Sequence, residues 1–207
     1  MSGRAVEPPW EQPFHWWGPP WAPPNVMSLA DLVAQGLIRP EQAARLTNHV
    51  RQGGSLVVAA LRSGTGKSTL AHALMAAIEP DRNRIYIRGT YEPFDWLPSA
   101  QPDQTTLLIN EISDHLPAYC WGGCAKRVLS LARRGYQVIA TLHADSPAAF
   151  LALLRSPEIG VGEDEIVALD IVVFLDITAS GQRSVSDIMQ VRSDPDSGRA
   201  VLRPIDL

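Results

Sequence analysis

An apolar segment that leads into a glycine-containing loop constrains this chain more than any other feature. Residues 55–69 read SLVVAALRSGTGKST, so a strand-like run ends at a loop that carries Gly66, Lys67 and Ser68. Backbone N–H groups of such a loop and of the following helix point at phosphate oxygens, and the helix dipole adds to their attraction. The segment therefore predicts a phosphate-binding loop whose ligand is a nucleoside triphosphate.

The loop also predicts individual roles. Lys67 is expected to reach the β and γ phosphates, and the hydroxyl of Ser68 to ligate Mg²⁺. One position departs from the pattern G-x-x-x-x-G-K-[ST], because Leu61 stands where the first glycine belongs. Either the turn is made with a side chain present, or the phosphates sit differently. The predicted nucleotide contacts are Arg62, Ser63, Gly64, Thr65, Gly66, Lys67, Ser68 and Thr69.

Size and charge narrow the class of protein. The chain has 207 residues, 45% of them hydrophobic, which fits one α/β domain with some additional sequence. No run approaches the ~20 apolar residues of a membrane span, and no signal peptide opens the chain, so a cytoplasmic location is expected. Since the net charge is −4 and the basic residues are scattered, no nucleic-acid partner is predicted.

Two further features, a pair of cysteines and a proline-rich N-terminal segment, lie outside the phosphate loop. Cys120 and Cys124 lie four residues apart in CWGGC, a spacing that favours small buried side chains over a redox pair or a zinc site. Residues 1–27 contain seven prolines and four tryptophans without periodicity. They predict an N-terminal arm, either a disordered tail or a segment that lays its aromatic rings on this domain, another subunit or a partner. Residues 28–207 are predicted to form the nucleotide-binding domain.

The pattern behind the loop predicts a mostly parallel sheet with helices on both faces. Ser28 is a plausible N-cap for a helix that Gly36 ends, and Pro40 opens a second helix. Further helices are expected from the loop to about residue 78, over 118–134 and over 147–154. The predicted strands cover residues 55–60, 84–88, 105–111, 136–143, 170–177, 183–191 and 200–205.

Two polar residues end successive predicted strands. Glu111 closes strand 105–111, and His143 closes strand 136–143. Parallel strands present their carboxyl ends at one edge of a sheet, where the phosphate loop also opens. Glu111 is therefore a candidate for the Mg²⁺ shell or for polarising the attacking water, and His143 for approaching the γ-phosphate.

Several ordered segments together resemble a known family. The stretch from Ser28 through the loop looks like the entry into the motor domain of type II and type IV secretion ATPases, especially the tight-adherence pilus branch. LLINEISD resembles the Walker B segment of that family, and GYQVIATLHADSPAAFLALL resembles its histidine box. ALDIVVFLDITASGQRSVSDIMQV is similar to its closing strands, so the likeness runs from about Ser28 to Val191.

The resemblance implies a RecA-like P-loop NTPase fold with Mg-ATP as ligand. It implies a hexameric ring, built from copies of this chain or from homologous ATPase subunits. It also implies that this ring lies at the inner membrane, on the membrane platform of a secretion or pilus system. Lys67 and Ser68 match the phosphate and Mg²⁺ contacts of the family, Glu111 its Walker B glutamate, and His143 its histidine-box histidine. Lys67, Glu111 and His143 are thus the predicted catalytic residues, with Ser68 and Glu111 at the metal.

The departures from the family concentrate on catalysis. In that family the strand after the first helix ends in an acidic box, whose glutamate acts on the attacking water. Here Arg88-Gly89 stands at that place, and Glu92, one turn further on, is the candidate substitute. The segment from Gly89 to Glu111 contains no lysine or arginine, and Ser113 occupies the place of a further arginine. Such arginines are worth roughly 10³ to 10⁵ in phosphoryl-transfer rate. Arg62 and Arg88 are candidates to supply the missing positive charge. The separate N-terminal domain of the family is also absent before Ser28, so the resemblance indicates a reduced, divergent member.

Three functions follow from these observations. The first is an ATPase that couples hydrolysis to pilus assembly or protein secretion. The second is a catalytically weak or inactive nucleotide-binding regulatory subunit that docks on an active homologue. A small-molecule kinase is disfavoured, because the chain has the T-L-H box and no recognisable basic lid.

Overall fold

The structure, a computed structural model, describes residues 27–205. The arm predicted over 1–27 therefore lies outside the described residues, apart from Met27. The described part alternates helices and strands, as the sequence pattern predicts. In chain order these are α1 (Leu29–Ala34), α2 (Pro40–Arg51), β1 (Leu56–Ala59), α3 (Lys67–Met75), β2 (Asn83–Tyr86), β3 (Thr105–Ile112), α4 (Gly122–Ala132), β4 (Gln137–Leu142), α5 (Pro147–Arg155), α6 (Glu163–Val167), β5 (Ile171–Ile177), β6 (Arg183–Ser193) and β7 (Ala200–Pro204).

The strands form one seven-stranded sheet in the order β2-β3-β4-β1-β5-β6-β7. The five strands from β2 to β5 in this order pair in parallel, whereas β6 and β7 are antiparallel to their neighbours. The predicted mostly parallel sheet is confirmed. Since β4 lies between β1 and β3, the carboxyl ends of all three strands meet at one edge, where the phosphate loop begins.

Helices cover both faces of the sheet, as predicted. Leu56 and Val58 of β1 pack in a cluster with apolar side chains of α1, α2 and α3. The alternate residues Val57 and Ala59 pack on the other face in a cluster that contains side chains of α4, α5 and α6. Successive side chains of a strand point to opposite faces, so a strand covered on both sides is apolar throughout. This explains the uninterrupted apolar run before the phosphate loop.

The predicted helix starts hold at α1 and α2. The Ser28 hydroxyl accepts a hydrogen bond from the Asp31 amide at 3.1 Å, and the Asp31 carboxylate accepts one from the Ser28 amide at 2.9 Å. This reciprocal pair is a capping box. Pro40 is the first residue of α2. None of the helices within residues 27–205 combines the length and the apolar character needed to cross a bilayer.

Two elements differ from the sequence prediction. The helix expected over 118–134 begins only at Gly122, because the Cys120 amide donates to the carbonyl of Glu111 at 2.8 Å and the backbone before α4 is bound to the end of β3. Helix α6 was not predicted. It has five residues, too few for a helical repeat to show, and the ion pair between Arg155 and Glu163 at 2.8 Å anchors its first turn.

Candidate functional site

The loop between β1 and α3 has the backbone of a phosphate loop. Gly64 and Gly66 have φ of +77° and +101°, in the left-handed region that side chains disfavour. Gly66 is the N-cap of α3, and a Cβ atom there would lie 3.2 Å from Cδ1 of Leu37. Glycine is thus required at position 66 for two reasons, and the first amides of α3 are left for a ligand.

The missing first glycine does not disturb the turn. Leu61 has no positive φ, since Phe94 and Asp170 are the only non-glycine residues within 27–205 that do. Its side chain is 57% exposed. Its carbonyl accepts a hydrogen bond from Nδ1 of His143 at 2.8 Å. The backbone at position 61 thus has a conformation that a side chain allows, as the first of the two alternatives expects.

A cavity of about 270 Å³ opens at the loop. Seven of the eight predicted contact residues, 63–69, line it, and the eighth, Arg62, does not. Arg62 is exposed, and its carbonyl accepts hydrogen bonds from the hydroxyl of Thr65 and from Nζ of Lys67. The other lining residues come from outside the loop and are Asn110, Glu111, Tyr119 and Arg183.

Lys67 is a buried cation in this cavity. The residue is only 5% exposed, and Nζ donates to the carbonyl of Arg62 at 3.4 Å. Burial lowers the pKa of Lys67, and the nearby carboxylate of Glu111 opposes that shift. A buried ammonium group is favourable only beside negative charge. Phosphate oxygens would supply that charge to Lys67.

Glu111 and His143 come together as the strand ends predict. Glu111 lies in β3, His143 follows directly after β4, and the two strands are parallel neighbours. Nε2 of His143 is 2.5 Å from Oε1 of Glu111. Glu111 is 8% exposed and lines the same cavity as Ser68 and Lys67. Its carboxylate therefore reaches both the phosphate end of the cavity and the imidazole.

A bulge in β3 determines which side chains of this part of the strand face the cavity. Ile109 pairs with Ala140 and Ile112 pairs with Leu142, so β3 has one residue more than β4 over this interval. Adjacent residues of a regular strand point to opposite faces. The extra residue suspends that alternation. Asn110 and Glu111 therefore both line the cavity although they are neighbours in sequence.

Three lining residues were missed by the sequence reasoning. Arg183 is the first residue of β6 and reaches the cavity from beyond β5. Its only signal is its place in the segment ALDIVVFLDITASGQRSVSDIMQV, whose resemblance to the closing strands of the family was taken to concern the fold. Tyr119 lies in the segment bound to the end of β3, and burial and the charge of Glu111 raise its pKa. Asn110 precedes Glu111, where a regular strand would turn it away.

Glu92 does not replace the acidic-box glutamate. Its Oε1 accepts hydrogen bonds from the Phe94 amide at 3.0 Å and the Trp96 indole at 2.9 Å. Its Oε2 accepts one from the Arg88 amide at 3.0 Å. The suggestion that Glu92 acts on water is therefore wrong, because this carboxylate holds its own loop together. Neither Arg88 nor Arg62 lines the cavity, so their suggested role in neutralising the phosphates is not supported either.

Crowding explains the glycine at the acidic-box position. Gly89 has a φ of +59°, and a Cβ atom there would lie 2.4 Å from the carbonyl carbon of Ala118. No side chain fits at position 89. The Gly89 carbonyl accepts a hydrogen bond from the Cys124 thiol at 2.9 Å, and Cys120 is buried with a pKa raised by that burial. Both cysteines are free thiols. Cys120 is buried, as predicted, whereas Cys124 is only partly buried.

Comparison with known proteins identifies the fold. No protein-family model matches the chain, and no curated protein matches it. The solved structure of the VirB11 ATPase from the Brucella suis type IV secretion system, in complex with sulphate, matches with a TM-score of 0.55 at 22% identity. The match covers 75% of this chain and 54% of that one.

Two structures of the ATPase DotB also match, from Yersinia pseudotuberculosis and Legionella pneumophila. Their TM-scores are 0.48 and 0.47, at 15% and 14% identity. They cover 83% and 80% of this chain and 50% and 51% of their own. The chain thus spans about half the length of the structures it matches. Its mixed α/β architecture, with a mostly parallel sheet, is a fold that it shares with the VirB11 ATPase.

Proposed function

We propose that the chain binds Mg-ATP and is an ATPase of the secretion or pilus motor class. One observation carries the proposal. The ammonium group of Lys67 is buried in a cavity formed by the phosphate loop, and the carboxylate of Glu111 lines the same cavity and acts on its charge. A buried cation, free helix amides and a strand-end carboxylate are the parts that phosphoryl transfer uses. The VirB11 structure that shares this fold was solved with sulphate, itself an anion.

The donor atoms fit a magnesium ion. Ser68 and Glu111 line the same cavity, and Glu111 is a buried carboxylate whose Oε1 lies beside Nε2 of His143. Hard oxygen ligands of this kind suit Mg²⁺, which would neutralise charge on the phosphates when bound. Ser68 and the carboxylate of Glu111 would hold the ion. Lys67 would bind the β and γ phosphates from the other side.

Glu111 and His143 are the proposed catalytic pair. The Glu111 carboxylate orients and polarises the attacking water, and His143 lies beside it at the end of β4. Arg183 adds a second side-chain cation at the cavity wall. A guanidinium binds phosphate oxygens in a forked geometry, so Arg183 can supply charge that the segment from Gly89 to Glu111 lacks.

The assembly and location follow from the family resemblance. Residues 28–207 are proposed to form the motor domain, in a ring with further copies or homologous subunits. The proposed location is cytoplasmic, at an inner-membrane platform of a pilus or secretion system. The fold shared with VirB11, an ATPase of a type IV secretion system, supports this class of machine.

A second function has its own support. The Gly89–Glu111 segment has no lysine or arginine, and Ser113 is buried where the family has an arginine. A nucleotide-binding regulatory subunit with little turnover, docked on an active homologue, would need neither residue. The two functions share the cavity and differ only in hydrolysis.

ATP binding and turnover by purified protein separate these possibilities. We expect Lys67→Ala to weaken ATP affinity at least about tenfold, because it removes a charged partner of the phosphates. Glu41→Gln, at an exposed ion pair with Arg39, is the control and leaves affinity unchanged. Unchanged affinity in Lys67→Ala would refute nucleotide binding at the loop.

Turnover is then compared with Glu111→Gln, alone and with candidate partner subunits. Measurable turnover that is lost in Glu111→Gln while ATP still binds supports the motor. Tight binding with turnover no higher than that of Lys67→Ala, even with the partners, supports the regulatory subunit.

A further inference from the structure

Three side chains at the rim of the cavity bring their ligand atoms together. Glu111, His115 and His143 each offer one oxygen or nitrogen, and these atoms all lie within 4.8 Å of one another. They come from three places, namely the bulge of β3, the turn after β3 and the residue after β4. Among residues 27–205 no other group of three or more histidine, cysteine, aspartate or glutamate side chains converges in this way.

The orientation of His143 is set by its second nitrogen. Nδ1 lies 2.8 Å from the Leu61 carbonyl oxygen, which can only accept, so Nδ1 carries the proton. In the neutral ring, Nε2 then has a free lone pair. Histidines that bind metals almost always donate their other N–H to a carbonyl or carboxylate, which fixes the ligand nitrogen. His143 has that arrangement, with Nε2 directed at Glu111.

Glu111 presents an atom of the same character. Its side chain is nine-tenths buried, and its Oε1 lies beside Nε2 of His143. Oε1 of Glu111 and Nε2 of His143 lie 2.5 Å apart, so the two atoms share a cation. That cation is either a proton on Nε2 or a metal ion that both atoms would bind. A metal ion with bonds of about 2.0–2.2 Å to each would satisfy both after a small separation of the pair.

His115 completes the group from the solvent side. Its ring packs edge to face on His143 with centroids 5.1 Å apart, and its side chain is 61% exposed. The third ligand is thus reachable from solvent, which gives an ion a path of entry. Three protein ligands leave a coordination position free for water or another small ligand.

We propose that Glu111, His115 and His143 form a binding site for a divalent transition-metal ion of the zinc class. Two imidazoles and one carboxylate suit zinc and its neighbours, whereas magnesium requires an all-oxygen shell. The site shares the Glu111 carboxylate with the proposed Mg-ATP site and takes its other two ligands from outside the phosphate loop. Zinc binding requires no nucleotide and goes beyond the proposed function.

Zinc binding has a consequence for the proposed ATPase. Coordination of Glu111 withdraws its carboxylate from water and from Mg²⁺. Zinc therefore inhibits turnover, and removal of His115 relieves the inhibition. This consequence rests on the proposed function, whereas the binding itself does not.

The test is a titration of the nucleotide-free full chain with Zn²⁺ against a chromophoric chelator. We expect one ion per chain, and a loss of affinity of more than about 100-fold in His115→Ala, which lacks a ligand. Because the His115 side chain is exposed, we expect this variant to fold as the wild type does, and its melting temperature checks this. His72→Ala, which removes a histidine of α3 outside the group, is the control and keeps wild-type affinity. Equal affinity in His115→Ala and wild type, or no zinc bound by wild type, overturns the proposal.

Two further measurements make the result specific. The Co²⁺-loaded protein should show d–d absorption without thiolate-to-metal charge transfer. A charge-transfer band would place the ion on Cys120 and Cys124 and overturn the proposal. Lys67→Ala should bind Zn²⁺ normally, and His115→Ala should bind ATP normally. Failure of the ATPase proposal would thus leave the zinc result standing, and the reverse also holds.

Discussion

The main-chain carbonyl of Leu61 accepts a hydrogen bond from Nδ1 of His143 at 2.8 Å. This bond joins the entry of the phosphate loop to the end of β4 through a backbone atom. The Leu61 side chain has no part in it and is largely exposed. The position therefore contributes its carbonyl, whatever side chain it carries.

Restoring glycine at position 61 should accordingly change little at the site. We expect Leu61→Gly to alter ATP affinity less than about twofold and to lower the free energy of unfolding by about 0.5–1 kcal/mol, since glycine frees the unfolded chain. Isothermal titration and urea denaturation measure the two effects. Leu61→Ala is the matched control, and a tenfold gain of affinity in Leu61→Gly would show that the leucine obstructs the phosphates.

Gly89 should be intolerant of any side chain. We expect Gly89→Ala to cost at least about 2 kcal/mol of unfolding free energy, because a Cβ atom there meets the backbone of Pro117 and Ala118 at a positive φ. Gly123 in α4 is the control, since nothing lies within 4 Å of its Cβ position. Gly123→Ala should stabilise the protein by about 0.5–1 kcal/mol. Similar melting temperatures for the two variants would contradict the crowding at Gly89.

Arg183 should contribute to triphosphate binding. Because its side chain lines the cavity from β6, Arg183→Ala is expected to weaken ATP affinity about tenfold. AMP, which lacks the outer phosphates, should lose much less. Arg192→Ala in the same strand removes an exposed guanidinium that binds Gln190, and should leave affinity unchanged. Equal losses for ATP and AMP in Arg183→Ala would argue against contact with the outer phosphates.

Asp170 should make stability depend on pH. It has a φ of +55°, its Oδ2 accepts a hydrogen bond from the Ser55 amide at 2.8 Å, and His49 Nε2 is 3.9 Å away. Burial raises the pKa of Asp170, against the opposing effects of Ser55 and His49. The folded state thus holds this proton more tightly than the unfolded state. The contribution of Asp170 is favourable below its ordinary pKa of 3.8 and is lost as pH rises through the folded value.

Asp170→Asn tests this sign. Asparagine tolerates positive φ and keeps an oxygen acceptor for the Ser55 amide while removing the charge. Its stability relative to wild type should therefore rise between about pH 4 and pH 7, as measured by urea denaturation at several pH values. The exposed Asp187→Asn should show no such trend. A relative stability of Asp170→Asn that falls with pH would reverse the inferred sign.

The sequence predicted those parts of the site that lie at the carboxyl ends of predicted parallel strands. The loop, Glu111 and His143 each sit at the end of an apolar strand, and parallel pairing is enough to bring strand ends together. It did not predict Arg183, because that residue reaches the cavity across a hairpin from a distant strand. Contacts of this kind depend on which strands become neighbours, which local periodicity does not encode.

The prediction that Glu92 replaces the acidic-box glutamate was wrong for a related reason. The pattern shows Arg88-Gly89 and then Glu92, but the packing of Gly89 against Ala118 involves residues far apart in the chain. The partners of Glu92 are the Arg88 amide, the Phe94 amide and the Trp96 indole, and Phe94 has a positive φ. Neither arrangement has a signature in the order of residue types. The strand β2 before this loop was predictable, whereas the hydrogen-bonding role of the Glu92 carboxylate was not.

The extra residue in β3 makes the cavity sensitive to chain length as well as to side-chain identity. If one residue were deleted between Ile109 and Ile112, the pairing with β4 would remain regular, but Asn110 or Glu111 would be lost and the survivor turned by half a repeat. A neutral substitution leaves that count intact, whereas a single-residue deletion would empty one wall of the cavity in an otherwise intact sheet. In related chains that keep the glutamate but lack the additional residue, the glutamate side chain would point away from the cavity.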